Sequence, residues 1–316
     1  MELLKRNPAA FAVKVIILAA IFCVVQFLIS GKILSTYYQM TLTTLSLNIV
    51  LAVSLNLING FTGQLSLGHA GFMSIGAYIS VIFVEKLHSP FAFGLFMACI
   101  VAGIAGFLIG MPTLRLRGDY LAIATLGFGE IIRIVFINIP YVGGAAGINS
   151  IPKLTTWPWL FGSIVLTILV INNLVNSSYG RAIVSIREDE IASELMGINI
   201  ANYKILAFII GAMFAGLAGG LYAHFFYVIK PSAFGFMKSF DALVMVVLGG
   251  LGSTSGAIIA AIFVTILSSV LQSFPELRMV LYAVVLIIVM IFRPQGLMGN
   301  KELSLKIFRR KEAEKK

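Results

Sequence analysis

Charged side chains are the scarcest ingredient of this chain: Asp, Glu, Lys and Arg make up 11% of its 316 residues, against 59% hydrophobic. A soluble domain is about one quarter charged. With a mean hydropathy of +1.00, the composition excludes such a domain and leaves a membrane as the solvent. Cysteine is nearly absent. Cys23 and Cys99 lie far apart inside apolar runs, which excludes a disulfide framework or a metal-ligand pair and makes both packing residues. There are three histidines, and His69 has no second His, Cys or carboxylate near it in sequence, so a hydrogen-bonded structural histidine fits better than a metal or proton relay. His88 and His224 fall near expected outer helix ends. No G-x-x-x-x-G-K-[ST] loop occurs, so the chain cradles no nucleotide phosphates in the usual way, and no catalytic constellation marks an enzyme. Of the acids, Glu130 and Asp241 alone lie inside or at the edge of apolar runs. That scarcity argues against a stand-alone secondary transporter, which needs a buried carboxylate for ion coupling. A passive channel lined by backbone and hydroxyls is the other rival, and it leaves the acidic loop described below unexplained.

What is present is a succession of apolar runs long enough to cross a bilayer. Spans are expected near 13–30, 34–58, 63–84, 91–111, 119–137, 158–175, 203–224, 239–252, 256–272 and 278–292, an all-α polytopic transmembrane bundle of about 8–10 crossings. The pair around Gly252 to Ser255 reads either as two crossings or as two re-entering half-helices. The first run follows a charged start but no A-x-A cleavage site, and is kept as an uncleaved helix. The net charge of +10 sits at the chain ends and in short loops, which speaks for membrane topology and against nucleic acid. Lys5 and Arg6 place the N-terminus inside, and Lys306, Arg309, Arg310, Lys311, Lys315 and Lys316 place the C-terminus there too. Arg115, Arg117, Arg181 and Arg187 then also fall inside, and the Gly-rich segment 141–157 outside. The expected organisation is a membrane domain over 1–300 and a basic cytoplasmic tail over 301–316.

Two segments break the pattern of straight helices. In GFTGQLSLGHAGFMSIGAY, residues 60–78, glycines recur among Gln, Ser and His inside an expected span. Irregular backbone at that depth is tolerated against protein or a water-filled cavity. One reading makes Gly63, Gln64, Ser66, Gly68, His69 and Ser74 the lining of a path for a small polar solute; the other is close helix packing. VLGGLGSTSGAIIAA, residues 247–261, has the same mixture, adds Gly252, Ser253 and Ser255 to the candidates, and suggests a diverged internal repeat. Gly106 with Gly110, and Ala212 with Gly216 and Gly220, show a spacing of four with no polar neighbours and read as packing seams. Glu130 and Arg133, three apart, are expected to pair on one helix face.

The longest and most charged loop is 176–202, expected on the inner side. Within it EDEIASELMGI has acids first, Ile191, Leu195 and Ile198 at helical spacing, and a terminating Gly197, the makings of a short amphipathic helix. Its acids Glu188, Asp189, Glu190 and Glu194 would be repelled by an anionic leaflet, so a groove on another protein is the expected resting place for its apolar side.

Taken together, GFTGQLSLGHAGFMSIGAY, LRLRGDYLAIATLGFGEIIR at 114–133, the run GRAIVSIREDEIASELMGINIANYKILAFIIGAMFAGLAGGLYA at 180–223, and VLGGLGSTSGAIIAA resemble, in order, the permeases of branched-chain amino acid ABC transporters. The 114–133 run points to their longer, LivM-like subunit. The resemblance implies a bacterial inner-membrane permease carrying Leu, Ile or Val, with urea or other amides or amino acids as alternative cargo. It implies a heterodimer with a homologous second permease, two cytoplasmic ABC ATPases and an extracytoplasmic solute-binding protein. No cofactor is implied on this chain; ATP and Mg belong to the ATPases. The E-A-A-x-x-x-G pattern of ABC importers lands on Ile191, Ala192, Ser193 and Gly197. It departs in the leading acid, with Glu190 one residue early and Glu194 one turn later, so Ala192 and Gly197 are the landmarks and the acid that meets the ATPase is left open.

Overall fold

The computed structural model describes residues 8–31, 34–113, 116, 118–272, 275–293 and 296–299. The expectations for Lys5, Arg6, Arg115, Arg117 and the 301–316 tail lie outside the described residues. The chain is an all-helical membrane protein: α1 Pro8–Ser30, α2 Thr36–Asn56, α3 His69–Val81, α4 Phe91–Thr113, α5 Asp119–Asn138, α6 Trp157–Val175, α7 Ser178–Glu188, α8 Glu190–Leu195, α9 Ile200–Phe226, α10 Phe236–Gly249, α11 Thr254–Val270 and α12 Pro275–Phe292. Among the described residues six helical stretches are long and apolar enough to cross a bilayer, and α1, α11 and α12 hold shorter apolar stretches.

Three helices form the core, α2, α9 and the shorter α3, which is buried at all but two of its thirteen residues. The stretch Thr36–Phe61 is 78% buried over its most apolar window and Ile200–Phe226 67%, whereas α5 and α6 are 17% and 22% buried. Lipid tails are as apolar as Leu, so the hydrophobic effect does not draw these helices together; close contact of small residues does. The seams read from sequence meet each other. A Cβ on Gly106 of α4 would stand 2.7 Å from Ala212 Cβ of α9, and one on Gly216 of α9 would stand 2.5 Å from Ala102 Cβ of α4. The same α9 packs on α3, where Gly219 lies against the Met73 carbonyl and Gly76 against Gly216.

The pair near Gly252 consists of two antiparallel helices. α11 runs beside α2 along its whole length, from Gly252 N–H on Asn56 Oδ1 (3.0 Å), through Asn48 Nδ2 on Thr265 Oγ1 (2.9 Å), to Tyr37 Oη on the Ser269 carbonyl (2.9 Å). α10 begins part-way along α5, where Phe236 N–H donates to Glu130 Oε1 (3.3 Å). The expected span 63–84 is shorter as a helix: α3 starts at His69, after an irregular stretch over 62–68. The Gly-rich segment after α5 is held in place, because Ile148 and Ile229 exchange both backbone hydrogen bonds at 3.0 Å.

The α4–α9 seam generates a prediction. Gly106→Leu forces a side chain into Ala212, and overpacking of this kind costs about 1–3 kcal/mol. Gly162 on α6 has nothing within 4 Å of a built Cβ. In detergent, Gly106→Leu is expected to lower the melting temperature and the monodisperse yield, and Gly162→Leu to leave both unchanged.

Candidate functional site

The sequence between α2 and α3 cannot be helical throughout. After Asn56 the helix widens into one π turn, Leu57–Phe61, and then opens over 62–68. In lipid each freed backbone group needs a protein partner. Side chains supply them. Asn59 Oδ1 accepts from Ser66 N–H (3.1 Å) while its Nδ2 donates to the Ser66 carbonyl (3.4 Å). Thr125 Oγ1 of α5 accepts from Leu67 N–H (3.0 Å), and Ser239 Oγ of α10 accepts from Ala70 N–H (2.9 Å), one of the orphan donors at the start of α3. The break is thus tied to α2, α5 and α10 at once.

The second Gly-rich segment docks on the first. Gly250, Leu251, Gly252 and Ser253 turn the chain between α10 and α11, with Gly252 at φ +83°, a region that excludes most side chains. Gly252 N–H bonds Asn56 Oδ1, and Gly60 lies against Gly252 N. Two breaks about 190 residues apart in sequence therefore form one polar junction. Ser253 caps α11 by accepting from Gly256 N–H (3.1 Å), and its Oγ lies 3.3 Å from Ser255 Oγ.

The candidate lining residues divide into two groups. Gly68 lies against the Thr125 carbonyl, and a Cβ on Gly71 would stand 3.0 Å from Gly129 Cα, so these glycines serve close packing of α3 on α5. His69 is fully buried and shares a 2.9 Å hydrogen bond between Nε2 and Ser54 Oγ, the structural role expected of it. In contrast, both amide atoms of Gln64, the Ser66 and Ser74 hydroxyls, His69 Nδ1 and Asn56 Nδ2 are buried with no hydrogen-bond partner in the chain. Unpaired buried polar atoms are rare because each costs about 1–3 kcal/mol. These six gather around the break, while Gln26 Oε1, Tyr78 Oη, Ser80 Oγ and His224 Nε2 are unpartnered elsewhere, and all are groups that a polar solute or water can satisfy.

Facing the same junction is the charged segment. Most of it is helical, which its loop-like composition did not announce. α7 buries Ile183 and Ile186 and is capped by Ser177, whose Oγ accepts from Gly180 N–H (3.2 Å). Asp189 separates α7 from α8 and caps α8, its Oδ1 accepting from Ile191 N–H (2.9 Å) and Ala192 N–H (3.0 Å). Gly197 closes α8 at φ +81°, as expected. Glu190 is turned inward to pair with Lys204 of α9, which is 7% exposed. Glu188 and Glu194 are exposed, as are Ile191, Leu195 and Met196, the last two at 83%. The apolar edge of α8 is therefore unoccupied by the described residues.

Arg187, which the sequence reading treated only as a topology marker, joins this segment to the breaks. Its Nη1 donates to the Gly60 carbonyl (3.1 Å), and its Nη2 and Nε donate to Glu188 Oε1 (2.5 and 3.0 Å). A Cβ on Gly252 would stand 2.5 Å from Nη1, and one on Gly63 3.0 Å from Arg187 Cγ. One guanidinium thus touches the acidic segment and both Gly-rich breaks. Glu130 and Arg133 pair at 2.6 Å on α5, as their spacing predicts.

The family described as "Branched-chain amino acid transport system / permease component" matches residues 37–290. The chain belongs to this permease family. It is 38% identical over 294 residues, 82% of this chain and 69% of the relative, to the high-affinity branched-chain amino acid transport system permease protein LivM of Escherichia coli K12, and equally to LivM of Salmonella typhimurium LT2. It is 27% identical over 286 residues, 80% of this chain and 92% of the relative, to the LivH permease of Salmonella typhimurium. No solved structure matches it. The family match begins within α2 and ends within α12, so it takes in both breaks, the polar junction and the charged segment of the permease.

Asn59 and Ser66 allow a contrast within this site. Asn59→Leu orphans the Ser66 amide and carbonyl, a loss of about 1–3 kcal/mol. It is expected to lower the melting temperature of the detergent-solubilised permease and open residues 62–68 to protease, while Ser66→Ala, which removes a hydroxyl without a partner, is expected to change neither.

Proposed function

We propose that the chain is one permease subunit of an ATP-driven importer that carries the branched-chain amino acids Leu, Ile and Val across a bacterial inner membrane. In this reading it pairs with a homologous second permease, two cytoplasmic ABC ATPases bind the pair from inside, and an extracytoplasmic binding protein delivers the solute. ATP and Mg stay in the ATPases, and this chain holds no cofactor. The observation that carries the reading, beside the names of its relatives, is the unoccupied edge of α8 formed by Ile191, Leu195 and Met196 beside exposed Glu188 and Glu194, joined through Arg187 to both helix breaks. A short helix with an exposed apolar edge and flanking acids suits a groove on a partner.

The side bearing α8 is the cytoplasmic side, so both termini are cytoplasmic and the segment between α5 and α6 is external, as the distribution of Lys and Arg favours. Closure of the ATPase pair on ATP moves α7 and α8 as a unit, Arg187 passes the displacement to Gly60 and the Gly252 turn, and the breaks shift. Gln64, Ser66 and Ser74, with Gly63 and His69, then offer polar groups to the solute. Ala192 and Gly197 build α8, Asp189 and Glu190 hold it in place, and Arg187 holds Glu188, so Glu194 is the acid left to meet the ATPase.

The test is to purify the tagged chain from its host in mild detergent and identify what accompanies it. A second permease and P-loop ATPases are expected, and uptake in the reconstituted complex is expected for Leu, Ile and Val rather than urea. Glu194→Lys with Leu195→Asp, both exposed, is expected to strip the ATPases while leaving the permease pair intact. Arg187→Gln is expected to keep the ATPases bound yet cut amino acid moved per ATP roughly tenfold or more, as the loss of about 1.5–3 kcal/mol of charge-assisted bonding between the charged segment and the break would give. A purified chain that carries solute alone, without ATP, overturns the reading.

A further inference from the structure

A cavity of about 260 Å3 opens between the end of α1, the start of α2 and the segment that leads into α6. It lies at the end of α6 opposite the one that continues into α7 and α8. Its walls are of two kinds. Ile29, Leu42 and Leu160 are apolar, whereas Gln26, Lys153 and Thr156 bring polar groups, and no carboxylate lines it. Gln26 donates through Nε2 to Ser30 Oγ (3.1 Å), but its Oε1 is buried and accepts nothing. Such an acceptor calls for a donor that the chain does not provide. Lys153 makes no ion pair or hydrogen bond to the described residues; its Nζ stands 4.9 Å from the centre of the Phe225 ring and 5.8 Å from that of Tyr227. The rings fix the place of the cation without neutralising it. The cavity therefore suits an anion that also carries a hydrogen-bond donor.

The surroundings of the cavity say where that anion comes from. α1 meets the bundle at Phe22, whose ring stands 5.3 Å from that of Phe161 and whose carbonyl accepts from Trp157 Nε1 (3.4 Å). Away from the bundle α1 exposes Val24 and Phe27, one turn and less from Gln26, and acyl chains cover such side chains. Tyr37, Tyr38 and Trp159 are exposed around the same end. Tyr and Trp collect where hydrocarbon gives way to headgroups, and a lysine there keeps its ammonium among them. A cavity with this rim is filled from the bilayer.

We propose that this cavity holds the headgroup of an anionic, hydroxyl-bearing phospholipid of the outer leaflet, of which phosphatidylglycerol is the simplest. Its phosphate pairs with the Lys153 ammonium, and a headgroup hydroxyl donates to Gln26 Oε1. The volume suits a phosphoglycerol group and excludes the acyl chains, which run down α1 past Ile29 and Leu42. Bound there, the lipid bridges α1 to the segment before α6. The choice of leaflet rests on the orientation proposed above; the choice of ligand rests on the cavity alone.

The experiment strips the purified complex of lipid in detergent and titrates it with single phospholipids under native mass spectrometry. Wild type is expected to retain phosphatidylglycerol roughly fivefold or more better than phosphatidylcholine, which has no net charge and no headgroup donor. Lys153→Gln is expected to weaken phosphatidylglycerol about tenfold, the scale of one charge-assisted hydrogen bond. Lys153→Arg is expected to leave binding unchanged, as is Lys230→Gln, which removes an exposed cation of the same end that does not line the cavity. Phosphatidylmethanol carries the same charge without a headgroup hydroxyl; wild type is expected to bind it about fivefold more weakly than phosphatidylglycerol, and Gln26→Leu to erase that difference. Equal retention of phosphatidylglycerol and phosphatidylcholine by wild type overturns the proposal, and so does binding that Lys153→Gln leaves intact. Displacement of the lipid by leucine also overturns it, because the cavity is then a second seat for an amino acid, whose carboxylate and ammonium meet the same two groups. In right-side-out vesicles Lys153→Cys is expected to react with a membrane-impermeant thiol reagent. Reaction in inverted vesicles alone overturns the orientation and the leaflet, and leaves the lipid site standing.

Discussion

A backbone amide inside a bilayer has no water to bond, and this constraint decides where the permease can depart from helix. Between Thr62 and Gly68 the chain leaves the helix, and there Asn59, Thr125 and Ser239 stand ready for Ser66, Leu67 and Ala70. Those three side chains belong to α2 and its π turn, α5 and α10. Irregular backbone would otherwise cost several kcal/mol per unpaired group. The tertiary arrangement is therefore a precondition of the break, and the break in turn fixes how α5 and α10 sit against α2 and α3. The polar junction at Asn56, Gly60 and Gly252 extends the same logic to the second Gly-rich turn.

The satisfied groups are backbone, while the unsatisfied ones nearby are side chains. Gln64, Ser66 and Ser74 keep amide and hydroxyl atoms buried and unpaired beside a backbone whose Gln64, Ser66, Leu67 and Ala70 amides are engaged. A rigid frame with free polar groups suits a site that has to exchange partners with a passing solute, since side chains rotate at little cost and helix breaks do not re-form easily. Arg187 adds a lever to this frame. Charge-assisted bonds from one guanidinium to Glu188 and to the Gly60 carbonyl connect the charged segment to the least regular part of the membrane domain.

Much of this was legible in the sequence, and what was missed shares a cause. Helical runs, the two Gly-rich breaks, the α4–α9 seam, the Glu130–Arg133 pair and the terminator Gly197 are all local patterns, readable from spacing of three or four or from composition. Asn59, Thr125, Ser239 and Arg187 were missed because their partners lie 7, 58, 169 and 127 residues away, and no periodicity encodes such a bond. Glu190 looked equivalent to its acidic neighbours until Lys204 of α9 came within reach of it. Gly68 was open to two readings, a solute path or close packing, and it lies against the Thr125 carbonyl of α5. In both cases the residue type was legible and its direction was not, since direction depends on the neighbouring helix.

The same reasoning separates the two poorly buried helices. Low burial alone does not distinguish a lipid face from a subunit face, because leucine and isoleucine suit both. What distinguishes them is anything lipid cannot accommodate. α6 exposes apolar side chains, and bilayer tails solvate it completely. α5 carries the half-exposed Glu130–Arg133 pair, and that pair lies against Gly235 and Phe236 at the start of α10, so its charge meets protein within the chain. α5 thus serves two neighbours within the permease, contributing Thr125 to the helix break and Glu130 to the start of α10.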